Sequence, residues 1–119
     1  MKTQITVLIC CAAALQALAA DQPDYAPMEA ELKIASQTVI DPGPNEKLDR
    51  VALWITSESA KTIYDAMSGP QEPVACVDDG VTRQRRAGGL ECIAYEDGKY
   101  LCTVAIMLDT GETKKHVAS

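Results

Sequence analysis

Apolar residues in the stretch RVALWIT (50–56) fill both alternating faces, with Val51, Leu53 and Ile55 on one and Ala52 and Trp54 on the other. A strand apolar on both sides belongs in the interior of a sheet. The period then changes. Ala60, Ile63, Tyr64 and Met67 recur at i, i+3, i+4 and i+7, which gathers them into one stripe along a helix. Ser57 or Thr56 is placed to cap its first N–H groups, and Glu58 complements the positive end of the dipole. Gly69 followed by Pro70 predicts the stop, with Gly69 as the left-handed residue just past the helix.

A second alternating pair, LECIAYE and KYLCTVAIML, brackets the dipeptide Asp97-Gly98 and predicts a hairpin. Its register follows from the faces that result. A two-residue turn would set Cys92 against Thr103 and mix apolar with polar residues on both sides. A three-residue loop, Glu96 to Gly98 with Gly98 left-handed, sets Leu90 opposite Val104, Cys92 opposite Cys102 and Ala94 opposite Tyr100. The other face then carries Glu91–Thr103, Ile93–Leu101 and Tyr95–Lys99, a mixed surface.

The remaining segments are less regular. ELKIASQTVI (31–40) fits a strand or a helix, and DPGPNEK after it is a loop. QEPVACVDDG reads as loop or short strand, VTRQRR as extended, and Gly88-Gly89 as a break. The predicted fold is α+β: one amphipathic helix on a small antiparallel sheet of three to four strands, ending in the C-terminal β-hairpin. A single domain spans 30–110, between a flexible acidic tail at 21–29 and a flexible C-terminal tail at 111–119.

Residues 1–20 read as a cleaved signal peptide. Lys2 precedes the apolar run ITVLICCAAALQALA, and small residues stand at Ala17, Ala19 and Ala20 before Asp21. The run falls short of the ~20 residues that span a bilayer, so no stable membrane insertion is expected after cleavage. Attachment of a lipid at Cys10 or Cys11 is disfavoured by Ile9, where such sites need a small residue. Export predicts a periplasmic or secreted protein. Loss of Lys2 takes the formal charge from −6 to −7, which repels nucleic acid and anionic lipid.

Cleavage leaves Cys76, Cys92 and Cys102, an odd number in an oxidising compartment. The hairpin register favours the disulfide Cys92–Cys102, with the two pairings through Cys76 as alternatives. The leftover thiol is expected to be buried, as free cysteines usually are.

Against this acidic background Arg83, Arg85 and Arg86 stand out. One reading is a solvated strand edge whose like charges block edge pairing, with the guanidiniums paired to Asp78 and Asp79. Another is recognition of a carboxylate or phosphate, since Arg83 and Arg85 on an extended chain lie about 6.6 Å apart on one face. Tyr95 and Tyr100 would add aromatic contacts. RQRR is also similar to a dibasic cleavage site of the eukaryotic secretory pathway.

Catalytic groups are scarce. His116 is the single histidine and sits near the chain end. Ser57 and Ser59 stand four and two residues from Lys61, and neither spacing makes a Ser-x-x-Lys motif. No compact zinc or calcium pattern and no phosphate-cradling glycine loop is present, so no catalytic residue, metal or cofactor is expected. In size, cystine and acidic charge the chain is similar to small periplasmic inhibitors and to immunity proteins. The expected function is non-enzymatic binding of another macromolecule, a basic cell-wall enzyme or toxin being the suited partner. The alternatives are a structural or accessory envelope component, or a module binding an anionic ligand through Arg83, Arg85 and Arg86.

Overall fold

A computed structural model describes residues 25–115. The expected leader with Cys10 and Cys11, its cleavage site, and His116 lie outside these residues. The described chain has one helix and a seven-stranded antiparallel sheet. The strands are β1 (Ala30–Ala35), β2 (Arg50–Thr56), β3 (Glu72–Pro73), β4 (Arg83–Ala87), β5 (Leu90–Ala94), β6 (Tyr100–Met107) and β7 (Thr113–Lys114), and the helix α1 is Ser57–Ala66. Strand order is β1-β2-β6-β5-β4-β3, with β7 also paired to β6.

The architecture is therefore α+β, as the periodicity predicts, but the sheet exceeds the three to four strands expected. Two additions explain the difference. Gly88 and Gly89 do separate VTRQRR from the strand that follows. They form a tight turn that pairs Ala87 with Leu90 and makes β4 a full neighbour of β5. The positive φ of Gly88, 57°, is what such turns require. The short strands β3 and β7 add a few backbone pairs each, against Gln84 and Arg83 and against Ala105 and Ile106. The second of these holds part of a segment expected to fray. A Cβ on Gly89 would run into the backbone of Lys114, so only glycine lets β7 lie so close.

β2 sits between β1 and β6, inside the sheet as its apolar faces predict. The 31–40 segment, open between strand and helix, forms β1 over its first half. The C-terminal hairpin has the expected register, with Glu91↔Thr103, Cys92↔Cys102, Ile93↔Leu101 and Ala94↔Tyr100. Its turn closes through Gly98, whose φ is 84° and whose N–H donates to the Tyr95 carbonyl at 3.1 Å. Cys92 and Cys102 are joined by a disulfide and are fully buried. Cys76 is a free thiol and exposed, which corrects the expectation of burial. It stands in a left-handed turn (φ 66°) of the irregular 74–82 segment, between β3 and β4.

The helix lies over β6, β5 and β2. Its predicted stripe makes the core: Ala60 and Tyr64 are buried with Ile55, Cys92 and Cys102, and Ile63 and Met67 pack against them. Burying apolar area at ~25 cal/mol per Å² makes this layer the principal source of stability.

The helix ends differ from expectation. Thr56 is the N-cap but its side chain makes no capping hydrogen bond. Ser57 takes the left-handed conformation (φ 56°), which turns the chain sharply from β2 into α1. At the other end Met67 is the extended C-cap, and Gly69 does not adopt positive φ. Arg85 takes over the capping role expected of Gly69.

Candidate functional site

β4 delivers the arginines to opposite faces. Arg85 is paired with Cys92 and so faces the helix, and Arg83 shares that side of the alternating strand. The two do not form a free fork. The Nη1 of Arg85 donates to the carbonyls of Tyr64 (2.7 Å) and Met67 (3.1 Å) at the negative end of α1, the first of which also accepts from the Met67 N–H. Its guanidinium carbon also lies 4.8 Å from the Tyr64 ring centre. Arg83 folds back on its own loop, donating to the carbonyls of Thr82 and Gly80, each at 2.9 Å. Arg86, on the opposite face, pairs with Glu72 at 3.0 Å.

Arg86 thus pairs with a carboxylate of the chain itself, though with Glu72 rather than the expected Asp78 or Asp79. Asp79 is committed to its own turn. Its carboxylate accepts from the N–H groups of Val81 and Thr82 at 2.8 Å and from the Thr82 hydroxyl. Those donors hold its pKa below the ordinary aspartate value.

The tyrosines sit elsewhere. Tyr64 and Tyr100 meet edge to face at 5.5 Å, and the Tyr64 hydroxyl donates to Gln71 Oε1 at 2.9 Å. Burial pushes the Tyr64 phenol up, and the positive charge of Arg85 opposes it in part. Tyr95 and Tyr100 do meet, around a hollow of about 560 Å³ between α1 and the hairpin turn, shared with Ser57, Glu58, Lys61 and Lys99. The lining contains no arginine, so the five predicted binding residues do not converge.

That hollow has one feature with catalytic precedent, a serine on a strained strand-to-helix turn. The base it would need is a neutral amine, and Lys61, which lines the same hollow, is engaged as a cation. Lys61 donates to Asp65 at 2.7 Å, and that hydrogen bond and charge raise its pKa. Held protonated, Lys61 has no electron pair with which to take a proton from Ser57. Among the described residues no cluster of three or more His, Cys, Asp or Glu could hold a metal ion.

A larger feature is missed by residue-type reasoning. The helix covers the Ile55–Cys102–Cys92 row of its sheet face, with Leu90, Ala94 and Tyr100 packed at its margins. Two further rows continue beyond it: Leu32–Leu53–Val104, and Ile34–Val51–Ile106–Thr113. Leu32 is 68% and Ile34 46% exposed, and Val51, Leu53 and Ile106 are half-buried. Leu48 and Leu108 are exposed at the same end of the sheet. The signal was present in sequence as alternation without enough helix to cover it, since ten residues of α1 reach about 15 Å along a layer.

The opposite face carries a hollow of about 780 Å³ around Trp54, Glu31, Lys33 and Leu101. Comparison with known proteins finds no family, no curated protein and no solved structure that this chain matches.

Proposed function

We propose that this chain is an exported, non-enzymatic protein that binds another protein, in the manner of a periplasmic inhibitor or immunity protein, and that the open half of its helix-side sheet face is the contact surface. One observation carries the reading: the apolar rows through Leu32, Leu53, Ile34, Val51 and Ile106 extend past the helix and stay accessible to solvent. Contiguous apolar surface of this kind on a small domain marks interaction sites. The buried disulfide is consistent with an oxidising compartment. The acidic charge would speed encounter with a basic partner such as a cell-wall hydrolase or toxin.

The anionic-ligand alternative has less support, because Arg83, Arg85 and Arg86 already hold internal acceptors. The test uses the tagged chain as bait in envelope extracts, followed by titration of the dominant captured protein against purified wild type and Leu53→Ser. The reading expects one stoichiometric partner and at least a ~tenfold weaker Kd for the variant, with folding checked by near-ultraviolet circular dichroism. Capture of no protein, with deletion altering only envelope integrity, would instead favour a structural role. A captured partner insensitive to Leu53→Ser would move the contact elsewhere.

A further inference from the structure

We infer that two copies of this chain associate through their β1 strands, antiparallel about a two-fold axis at Leu32, into one continuous sheet. Among the described residues β1 ends the strand order and pairs only with β2. Neither proline nor glycine interrupts Ala30–Ala35, and five of its six residues are exposed. Such an edge presents unpaired N–H and C=O groups to any strand that fits.

The groups that point outward are identifiable. The Thr56 N–H donates to the Glu29 carbonyl at 2.9 Å, so Glu29 turns its backbone toward β2. By the two-residue alternation of an antiparallel ladder, Glu31 and Lys33 do likewise, and Ala30, Leu32 and Ile34 turn theirs to the open edge. In a register centred on Leu32, Leu32 faces the partner's Leu32 and Ala30 faces the partner's Ile34. Outward groups therefore meet outward groups along the whole strand.

Charge selects this register over its neighbours. On the face away from the helix, Glu31 falls opposite the partner's Lys33, and symmetry repeats the pair. A slip of two residues one way sets Glu31 against the partner's Glu31 at the two-fold axis and moves the Lys33 pairing out to Glu29, beyond the end of β1. The opposite slip sets Lys33 against the partner's Lys33. Like charges directly opposite are destabilising in a sheet, and opposite charges stabilise. A slip of one residue would set outward groups against inward ones and exchange the faces.

A lysine on an edge strand ordinarily guards against pairing. Here Glu31, two residues away on the same face, makes the edge complementary to itself. Lys33 Nζ donates to the Val39 carbonyl at 2.6 Å, and an ammonium has further donors for a carboxylate. The dimer would cover Leu32 and join two open apolar faces on one side of the extended sheet. Each chain is acidic, but at about 0.15 M salt the Debye length of ~8 Å screens distant charges more than the adjacent Glu–Lys pairs.

The test is sedimentation equilibrium at 0.15 M salt on the full chain expressed with its own leader, carrying Cys76→Ser to prevent chance cross-links. The expected result is a monomer–dimer equilibrium. Glu31→Lys or Lys33→Glu alone should raise the dimer Kd about tenfold, because each converts both symmetric pairs to repulsion. The double swap Glu31→Lys with Lys33→Glu should restore it to within about threefold of the parent. Leu32→Cys should cross-link on oxidation and Lys33→Cys should not. A protein monomeric throughout, single swaps without effect, a double swap that fails to recover, or equal cross-linking at 32 and 33 would each overturn the inference.

Discussion

Arg85 lies over the ring of Tyr64 and donates to the carbonyl of that same residue, so one side chain closes the end of the helix and seals the core beneath it. The relationship joins β4 to α1 across 21 residues of sequence. It also gives the arginines unequal roles, which stability measurements can separate.

Arg85→Ala removes two charge-assisted hydrogen bonds and the contact with the ring. It should lower unfolding free energy by about 2 kcal/mol, measured by urea titration. Arg85→Lys should recover only part of this, since an ammonium can donate to the carbonyls but lacks the planar face that stacks on the Tyr64 ring. Arg86→Ala loses an exposed pair with Glu72 and should change stability by less than ~1 kcal/mol. Equal losses at both positions would contradict the assignment.

Legibility of the fold tracked the range of the interactions. The α1 stripe and the β5–β6 register were readable because periodicity and turn chemistry are local, and the disulfide followed from that register. Gly88-Gly89 reads as a boundary between extended runs and is one, but two glycines there also form a hairpin turn that pairs the runs. β3 and β7 were not readable, since two-residue strands have no period. The capping of α1 by Arg85 could not be seen in one dimension. Gly69-Pro70 carried the usual stop signal, and a residue distant in sequence satisfied the carbonyls instead. The open apolar rows were visible only once the helix had a position on the sheet.

The two kinds of cysteine should differ sharply in reactivity. In the folded, unreduced protein Cys76 is exposed, whereas Cys92 and Cys102 are sealed under α1. Ellman's reagent applied to the chain without residues 1–20 should titrate one thiol, and Cys76→Ser should abolish the signal. Replacing Cys92 and Cys102 together by Ala should cost about 3 kcal/mol, from the freed hairpin loop. A native signal that survives Cys76→Ser would mean that the disulfide is not formed.

The contact between Gly89 and Lys114 predicts a local effect. Gly89→Ala should expel β7, seen as faster hydrogen exchange at the amides it shares with Ala105 and Ile106. The amides of β2 and of the Cys92–Cys102 row should keep their protection. Uniform loss across the sheet would mean that β7 is integral to the fold rather than an addition to it.

Acid should weaken the fold through the turns that carboxylates organise. Hydrogen bonds from Thr82 and Val81 lower the pKa of Asp79, Arg50 lowers that of Asp49, and Gly43 and Thr38 lower that of Glu46. A carboxyl whose folded pKa lies below its unfolded value stabilises the native state above the unfolded value, near pH 4. That contribution declines as pH falls through the folded value. Tm should therefore be flat from pH 7 to about 5 and drop below about 4. Asp79→Asn keeps an acceptor but loses the charge that its donors favour, so it should lower Tm at pH 7. The gap to wild type should close as both approach pH 2, where wild-type Asp79 is also neutral. A gap independent of pH would assign the loss to packing of the 79–82 turn rather than to its ionised carboxylate.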